Sequence, residues 1–435
     1  MINIIHKKDC CGCSACVQSC PKQCIKLYED EEGFLYPKVD NSICIDCGLC
    51  ERVCPVFNQS EERTPIEAFA AKNPNEEIRR ESSSGGIFTL LAEQIIDAGG
   101  VVFGVKWNEH FEAVHAYTET KEGLADFRGS KYVQSQTGYT FKQAEEFLKQ
   151  GRQVLYSGTP CQIAALKLYL RKDYENLLAV DIICHGAPSP GVFRWYLSEE
   201  IAKEAARQSG KKIQFRSSLP ISSIAKADVL ARQQGFEIED IRFRDKRFGW
   251  KKYSFVLSLR LLSESLDDGE KNSVSLSYTL HENAFMKGFL RNIYLRPSCY
   301  ACPAKSGKSG SDITLADYWG IQDLMPNIDD DRGISAIIVN TEKGRKKMQA
   351  ITAELYPAPY EDICIKNPSL LHSYSIPVNR SSFFESNNKA FHKRIEVISR
   401  IHLKQRIKIK VYDILSKFLN RQIKQIIRKI LSRQE

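Results

Sequence analysis

The chain has 435 residues, 43% of them hydrophobic, which excludes a disordered polymer and is enough for two or three domains with buried cores. Its formal charge of +9 is confined to one end: residues 393–435 carry thirteen Lys or Arg against Glu396, Asp413 and Glu435. That local +10 leaves the remainder nearly neutral and removes the charge argument for nucleic-acid binding. The opening Met1-Ile2-Asn3-Ile4-Ile5-His6 does not read as a secretory signal and no run of 18 apolar residues occurs, so a cytoplasmic chain is expected. In that reducing compartment fifteen cysteines argue for metal ligation or redox chemistry rather than disulfides.

Ten of the cysteines fall within residues 10–54. Cys10, Cys13, Cys16 and Cys20 form C-x2-C-x2-C-x3-C followed by Pro21, and Cys44, Cys47, Cys50 and Cys54 repeat the pattern before Pro55. A loop with two-residue gaps wraps three irons of a cubane, and the fourth ligand must come from elsewhere. In the bacterial two-cluster arrangement the last cysteine of each run serves the other cluster, which groups Cys10, Cys13 and Cys16 with Cys54, and Cys44, Cys47 and Cys50 with Cys20. Residues 6–57 resemble the two-cluster bacterial ferredoxins. Structural zinc wants four ligands from two separate pairs, not two runs of four. Cys11 and Cys24 stand outside the pattern and read as small buried side chains. Between the runs, Ile25–Tyr28 and Phe34–Val39 straddle an acidic turn with Gly33, a short hairpin.

Polar residues 58–65 read as a linker. Beyond them the pattern predicts a helix over Ile87–Ala98, a strand over Val101–Val105, a helix over Phe141–Gln150, a strand at Val154–Tyr156, a helix over Gln162–Leu170 and a buried strand over Leu177–Cys184, an α/β alternation. Ser82-Ser83-Ser84-Gly85-Gly86 before the first of these helices reads either as an anion-binding loop or as a plain helix start with a flexible lead-in. Arg128-Gly129-Ser130-Lys131-Tyr132 is equally open, since a Gly-Ser turn with basic neighbours is common on surfaces. Cys161, Cys184, Cys299 and Cys302 remain, besides Cys364. Spacing marks only Cys299 and Cys302 as a ligand pair, for zinc, a redox dithiol or neither.

Several stretches together resemble the beta subunits of coenzyme F420-reducing hydrogenases and F420-linked dehydrogenases, with their bacterial relatives. They are Ser84–Thr89, Gly129–Tyr132, Gly158–Gln162, Ile183–Gly186, Cys299–Cys302 and Ser311–Gly320, spanning about residues 66–340. The resemblance implies an FAD beside a further 4Fe-4S cluster, with Cys161, Cys184, Cys299 and Cys302 as that cluster's ligands. Ser84, Gly85, Gly86, Thr89, Lys131 and Tyr132 would line the flavin site. A self-contained two-cluster module departs from the hydrogenase context, which leaves the two-electron substrate open, coenzyme F420 included.

The expected fold is an α+β ferredoxin-like N-terminal domain (1–57), an α/β flavin and iron–sulfur domain (66–390, in parts 66–148 and 149–390) and a basic amphipathic helical tail (391–435). The tail reads either as an attachment to an anionic membrane surface or acidic partner, or as a helix packed on the body with a solvated basic face. The expected function is an oxidoreductase passing electrons between ferredoxin-type clusters and a flavin that acts on a small organic substrate, with ferredoxin or another redox protein as partner. The alternative is an electron-transfer subunit without a substrate site. His185 and His281 are candidate proton donors, His185 ahead because it adjoins Cys184.

Overall fold

The computed structural model describes residues 1–210, 221–262, 272–385 and 389–399. Its strands are β1 (Ile25–Glu29), β2 (Leu35–Val39), β3 (Glu67–Lys72), β4 (Val101–Trp107), β5 (Ala113–Thr118), β6 (Val154–Gly158), β7 (Leu177–Ile182), β8 (Phe236–Asp245), β9 (Ser254–Leu261), β10 (Ser273–Thr279), β11 (Ile313–Asp317), β12 (Ser335–Val339) and β13 (Glu354–Pro357). Eight of them form one mixed sheet in the order β13-β3-β12-β11-β7-β6-β4-β5. The stretch β11-β7-β6-β4 is parallel, while β12, β13 and β5 pair antiparallel to their neighbours.

The parallel strands are buried on both faces because their side chains alternate into two cores. Phe103, Tyr156 and Ala179 face one side, packed with Phe141 and Ile163 from the helices Thr140–Lys149 and Pro160–Leu170. Their neighbours Val102, Leu155 and Leu178 face the other, under Leu91 and Ile95 of the helix Ile87–Asp97. A second, three-stranded antiparallel sheet, β10-β9-β8, shares a core with the twenty-residue helix Pro190–Ser209. Ser189 caps that helix by accepting from Val192 N, and Pro190 fills its first turn.

The cysteine-rich segment is built into the body. Cys11, Cys13, Ala15 and Val53 belong to the same core as Phe141 and Ile163. Thr137 Oγ1 donates to Cys13 O at 2.9 Å and Phe141 N to Gln18 Oε1 at 3.0 Å. At the tip of the β1–β2 hairpin the backbone of Gly33 meets that of Gly191: a Cβ on Gly33, whose φ is +82°, would lie 2.6 Å from Gly191 Cα. Arg380 pairs with Glu32, and Arg194 with Glu29, across the same junction.

Of the basic tail, a helix Phe391–Ser399 is seen, with Phe391 and Ile395 buried among Trp195, Tyr196 and Phe383. The amphipathic pattern beyond it, which carries most of the positive charge, lies outside the described residues. No described helix is long and apolar enough to cross a membrane.

Candidate functional site

The two cysteine runs fold as near copies. Left-handed residues stand at matching points, Gly12 (φ +71°) and Ser14 (φ +59°) in the first run, Asp46 (φ +48°) and Gly48 (φ +70°) in the second, and each pair opens a short helix, Ala15–Ser19 or Leu49–Arg52. These reversals turn three thiols of each run toward a common space. One cavity is lined by Cys10, Cys13, Cys16 and Cys54 together with Ile2, Ile4, Leu27 and Pro37. The other is lined by Cys20, Cys44, Cys47 and Cys50 with Ile25, Val39 and Ile45. The fourth cysteine of each run thus sits with the other run's three. Among the described residues no group of three or more His, Cys, Asp or Glu side chains is drawn together as a single-ion site.

Cys11 and Cys24 are buried, as expected, and both thiols touch these sets. Cys24 Sγ lies 3.3 Å from Cys20 Sγ and lines the second cavity. The Cys11 thiol hydrogen-bonds toward both Cys13 and Cys161, so it stands where the first set meets the body.

Cys161, Cys184, Cys299 and Cys302 come from three separate places at one edge of the large sheet. β6 ends in Gly158, and Thr159 with Gln162 forms a capping box that starts the next helix with Cys161 in its first turn. Cys184 follows β7, and Cys299 and Cys302 lie in and just after the turn Pro297–Ala301. This is the carboxyl edge of the parallel strands, where open α/β sheets hold ligands. Burial, and then the thiols' repulsion of one another, pushes Cys184 up to about 12 and Cys302 to about 11, and Cys299 upward as well. Four mutually repelling, half-buried thiols brought to one place suit a positively charged metal core. Ala187 N donates to Cys299 Sγ at 3.3 Å. The ammonium of Lys305, 2.6 Å from Cys184 O, pulls the Cys184 and Cys302 thiols back down.

His185 is held beside this set, its Nε2 2.6 Å from Asn292 Oδ1 and its ring against Phe289 and Tyr374. Burial lowers its pKa, which favours the neutral imidazole. His281 lies apart, in the turn between β10 and the helix Ala284–Leu290.

The remaining predicted residues gather further along the same edge. Ser83 Oγ accepts from Ser130 N and sits 2.9 Å from Ser130 Oγ, which joins the Ser82–Gly86 and Arg128–Tyr132 loops. Arg244 from β8 ties both to β11: it donates to Ser83 O at 3.1 Å, to Tyr132 Oη at 3.0 Å and in a fork to Asp317 at 2.7 and 3.0 Å. Much of the predicted flavin lining is engaged within the protein. Ser84 Oγ donates to Ile334 O and Gly85 N to Ser335 Oγ, while Gly86 O accepts from Asn73 Nδ2. Thr89 is buried, with Arg128 Nε 3.4 Å from its hydroxyl. Lys131 donates to the carbonyls of Asp126, Arg128 and Gly129, and burial lowers it to about 8. Lys246, absent from the sequence expectation, is lowered to about 7 by burial and then by Arg244. Two features stay open: no side chain caps the helix Ile87–Asp97, and the buried Arg244 Nε has no hydrogen-bond partner.

With thiol sets, a cationic loop cluster and a mixed α/β sheet in place, the molecule belongs to the class of iron–sulfur redox proteins with a ferredoxin-type 4Fe-4S region. Family models match it in three stretches: a 4Fe-4S dicluster domain at residues 9–58, and the coenzyme F420 hydrogenase/dehydrogenase beta subunit, N-term at 68–141 and C terminus at 151–358. The chain belongs to the family of coenzyme F420 hydrogenase/dehydrogenase beta subunits, which are oxidoreductases. It is 25% identical over 194 residues to one subunit of the F(420)H(2) dehydrogenase of Methanosarcina mazei, covering 42% of this chain and 54% of that one. It is 23% identical over 279 residues to the coenzyme F420-dependent sulfite reductase of Methanocaldococcus jannaschii, covering 63% of this chain and 42% of that one. The cysteine-rich segment is 46% identical over 43 residues to a 7Fe ferredoxin of Hydrogenibacillus schlegelii, 10% of this chain and 49% of that one. The chain thus spans about half the length of these relatives.

Proposed function

We propose that this chain is an iron–sulfur flavoprotein oxidoreductase with three 4Fe-4S clusters in line. The observation that carries the proposal is the adjacency of the thiol sets: Cys11 reaches from Cys13 of the first set to Cys161 of the Cys161, Cys184, Cys299 and Cys302 set. When bound, the clusters supply one-electron transfer and a flavin supplies exchange between one- and two-electron chemistry.

The protein's own groups prepare these places. Lys305 offsets thiolate charge at the third set. At the second set Cys47 is exposed, rimmed by exposed Ile43 and Ile45, so a docked redox protein such as a ferredoxin would exchange electrons there. For the flavin's phosphates, the uncapped start of Ile87–Asp97, the open Nε of Arg244 and the charge of Lys131 make a fitting cationic corner. Tyr132, held by Arg244, stands at its edge.

Iron and flavin content per chain after anaerobic purification tests this reading. About 12 irons, four per cluster, with one flavin is expected, and about 8 irons without flavin would sink it. A second reading, an electron-transfer subunit with no substrate site, draws support from Ser84, Gly85 and Lys131 being engaged within the protein. It predicts about 12 irons, no flavin, and turnover only with a partner subunit.

A further inference from the structure

Arg296 is 1% exposed and sits three residues before Cys299. Its guanidinium leaves the turn that carries Cys299 and reaches into the first cysteine run. Nε donates to Cys10 O at 2.6 Å, one terminal nitrogen approaches Cys10 Sγ at 3.3 Å and Leu35 O at 3.0 Å, and the other donates to Gln134 Oε1 at 3.0 Å. Its plane lies over Tyr36, 4.2 Å from the ring centroid. Gly12 makes room for it: a Cβ there would come within 2.8 Å of Arg296 Nη1 and 2.5 Å of Gln134 Nε2.

Among the described residues the guanidinium's hydrogen bonds go to two carbonyls, an amide oxygen and a thiol, and none to a carboxylate. A fully buried cation without a counter-charge is costly, so a charge partner must be found nearby. The groups around it that can become anionic are the Tyr36 phenol, which burial pushes up and keeps protonated, and the thiols of Cys10, Cys11 and Cys161, which are left to take the charge.

The geometry points to Arg296 as a positioning residue shared by two clusters, the buried counter-charge that both the Cys10 set and the Cys161 set lean on and that sets their reduction potentials together. The inference rests on the three-cluster reading above. Adding an electron to either cluster makes it more negative, and a fixed positive charge with a donated N–H···S contact stabilises the reduced form, so it raises the potential. Among the described residues the second-run set, Cys20 with Cys44, Cys47 and Cys50, makes no hydrogen bond with Arg296, and its cavity is not lined by it, so that set escapes this influence.

The experiment is a redox titration of the full-length chain followed by electron paramagnetic resonance, each step being one electron passed from a chemical reductant to one cluster. Wild type, Arg296→Gln and Arg296→Lys are compared at equal iron content. Arg296→Gln is expected to move two of the three steps to lower potential and leave the third in place, while Arg296→Lys, which keeps the charge and loses the fork, restores part of the shift. No step moving, one step moving, or all three moving alike in Arg296→Gln would overturn the proposal. Should that variant fail to fold, Arg296→Lys alone must still lower the same two steps and spare the third, and unchanged steps there overturn it equally. A wild type holding fewer than about 12 irons counts against the three-cluster reading instead. In that case the first-run step must still fall on substitution, or the counter-charge role is lost as well.

Discussion

Trp250 and Trp319 lie face to face, ring centroids 4.9 Å apart and planes within 2° of parallel, and Trp250 Nε1 donates to Asp317 Oδ1 at 2.8 Å. Trp250 is fully buried, so it both fills space and holds the carboxylate that holds Arg244. Trp250→Phe keeps an aromatic ring and drops the hydrogen bond, for an expected loss of about 1–2 kcal/mol. Trp250→Ala also opens a cavity and should cost about 3–5 kcal/mol. Urea unfolding separates the two, and equal losses would mean that filling the space contributes nothing beyond the Asp317 bond.

Asp181 on β7 is buried, its Oδ1 has no hydrogen-bond partner, and burial pushes its carboxyl up to about 6. Between the usual carboxylate range and pH 6 the folded chain holds a proton that the unfolded chain has released, so Asp181 makes stability fall as pH rises through that window, with the full cost above it. Asp181→Asn removes the cost. It is expected to be more stable than wild type by up to about 3 kcal/mol at pH 8, the free-energy equivalent of lifting a carboxyl that far, and equal to it near pH 4. Thermal unfolding across pH checks this, and a gap independent of pH would rule the ionisation out.

Crossed ligation makes a prediction that plain sequence order does not. Cys54 belongs to the second run but lines the cavity of Cys10, Cys13 and Cys16, and Cys20 belongs to the first but lines the other. Cys54→Ser and Cys20→Ser should therefore each lose or alter one cluster, about four irons, and leave different clusters intact. Resonance spectra that match Cys10→Ser for Cys54→Ser, and Cys44→Ser for Cys20→Ser, are the expected outcome.

Cys11 touches Cys13 and Cys161 without lining up with either quartet's spacing. Cys11→Ala should keep the wild-type iron count, whereas Cys161→Ala should lose about four irons. Equal losses from both would make Cys11 a ligand.

The ferredoxin-type segment was legible because its cysteines are local: each run's spacing keeps three thiols within one loop, and Gly12 and Gly48 are the residues such reversals favour. The strands Val154–Gly158 and Leu177–Ile182 showed through their apolar starts, Val154–Tyr156 and Leu177–Val180, as doubly covered parallel strands do. The helix anticipated from Gln162 begins at Pro160 because the Thr159 capping box sets its start. The three-stranded sheet escaped notice, since β8 interleaves Glu237, Glu239 and Arg242 with its apolar residues, and β3, Glu-Ala-Phe-Ala-Ala-Lys, has a composition that favours helix. Cys161, Cys184, Cys299 and Cys302 could be grouped only by family pattern, because the sheet edge that unites them is tertiary. Arg244, Lys246, Arg296 and Lys305 carried no local signal at all, for nothing near an arginine in the chain says which thiol or carboxylate it will meet.

On the three-cluster reading, the backbone contact of Gly33 with Gly191 would fix how electrons travel. Mobile carrier domains swing on tethers, and their turnover follows tether length and solvent viscosity. Here the hairpin tip is wedged against the body and pinned by the Glu32–Arg380 pair, so the segment between residues 58 and 65 has no stroke to control. Internal transfer in a molecule so built would be paced by tunnelling across a set gap, and insensitive to glycerol and to insertions in that segment.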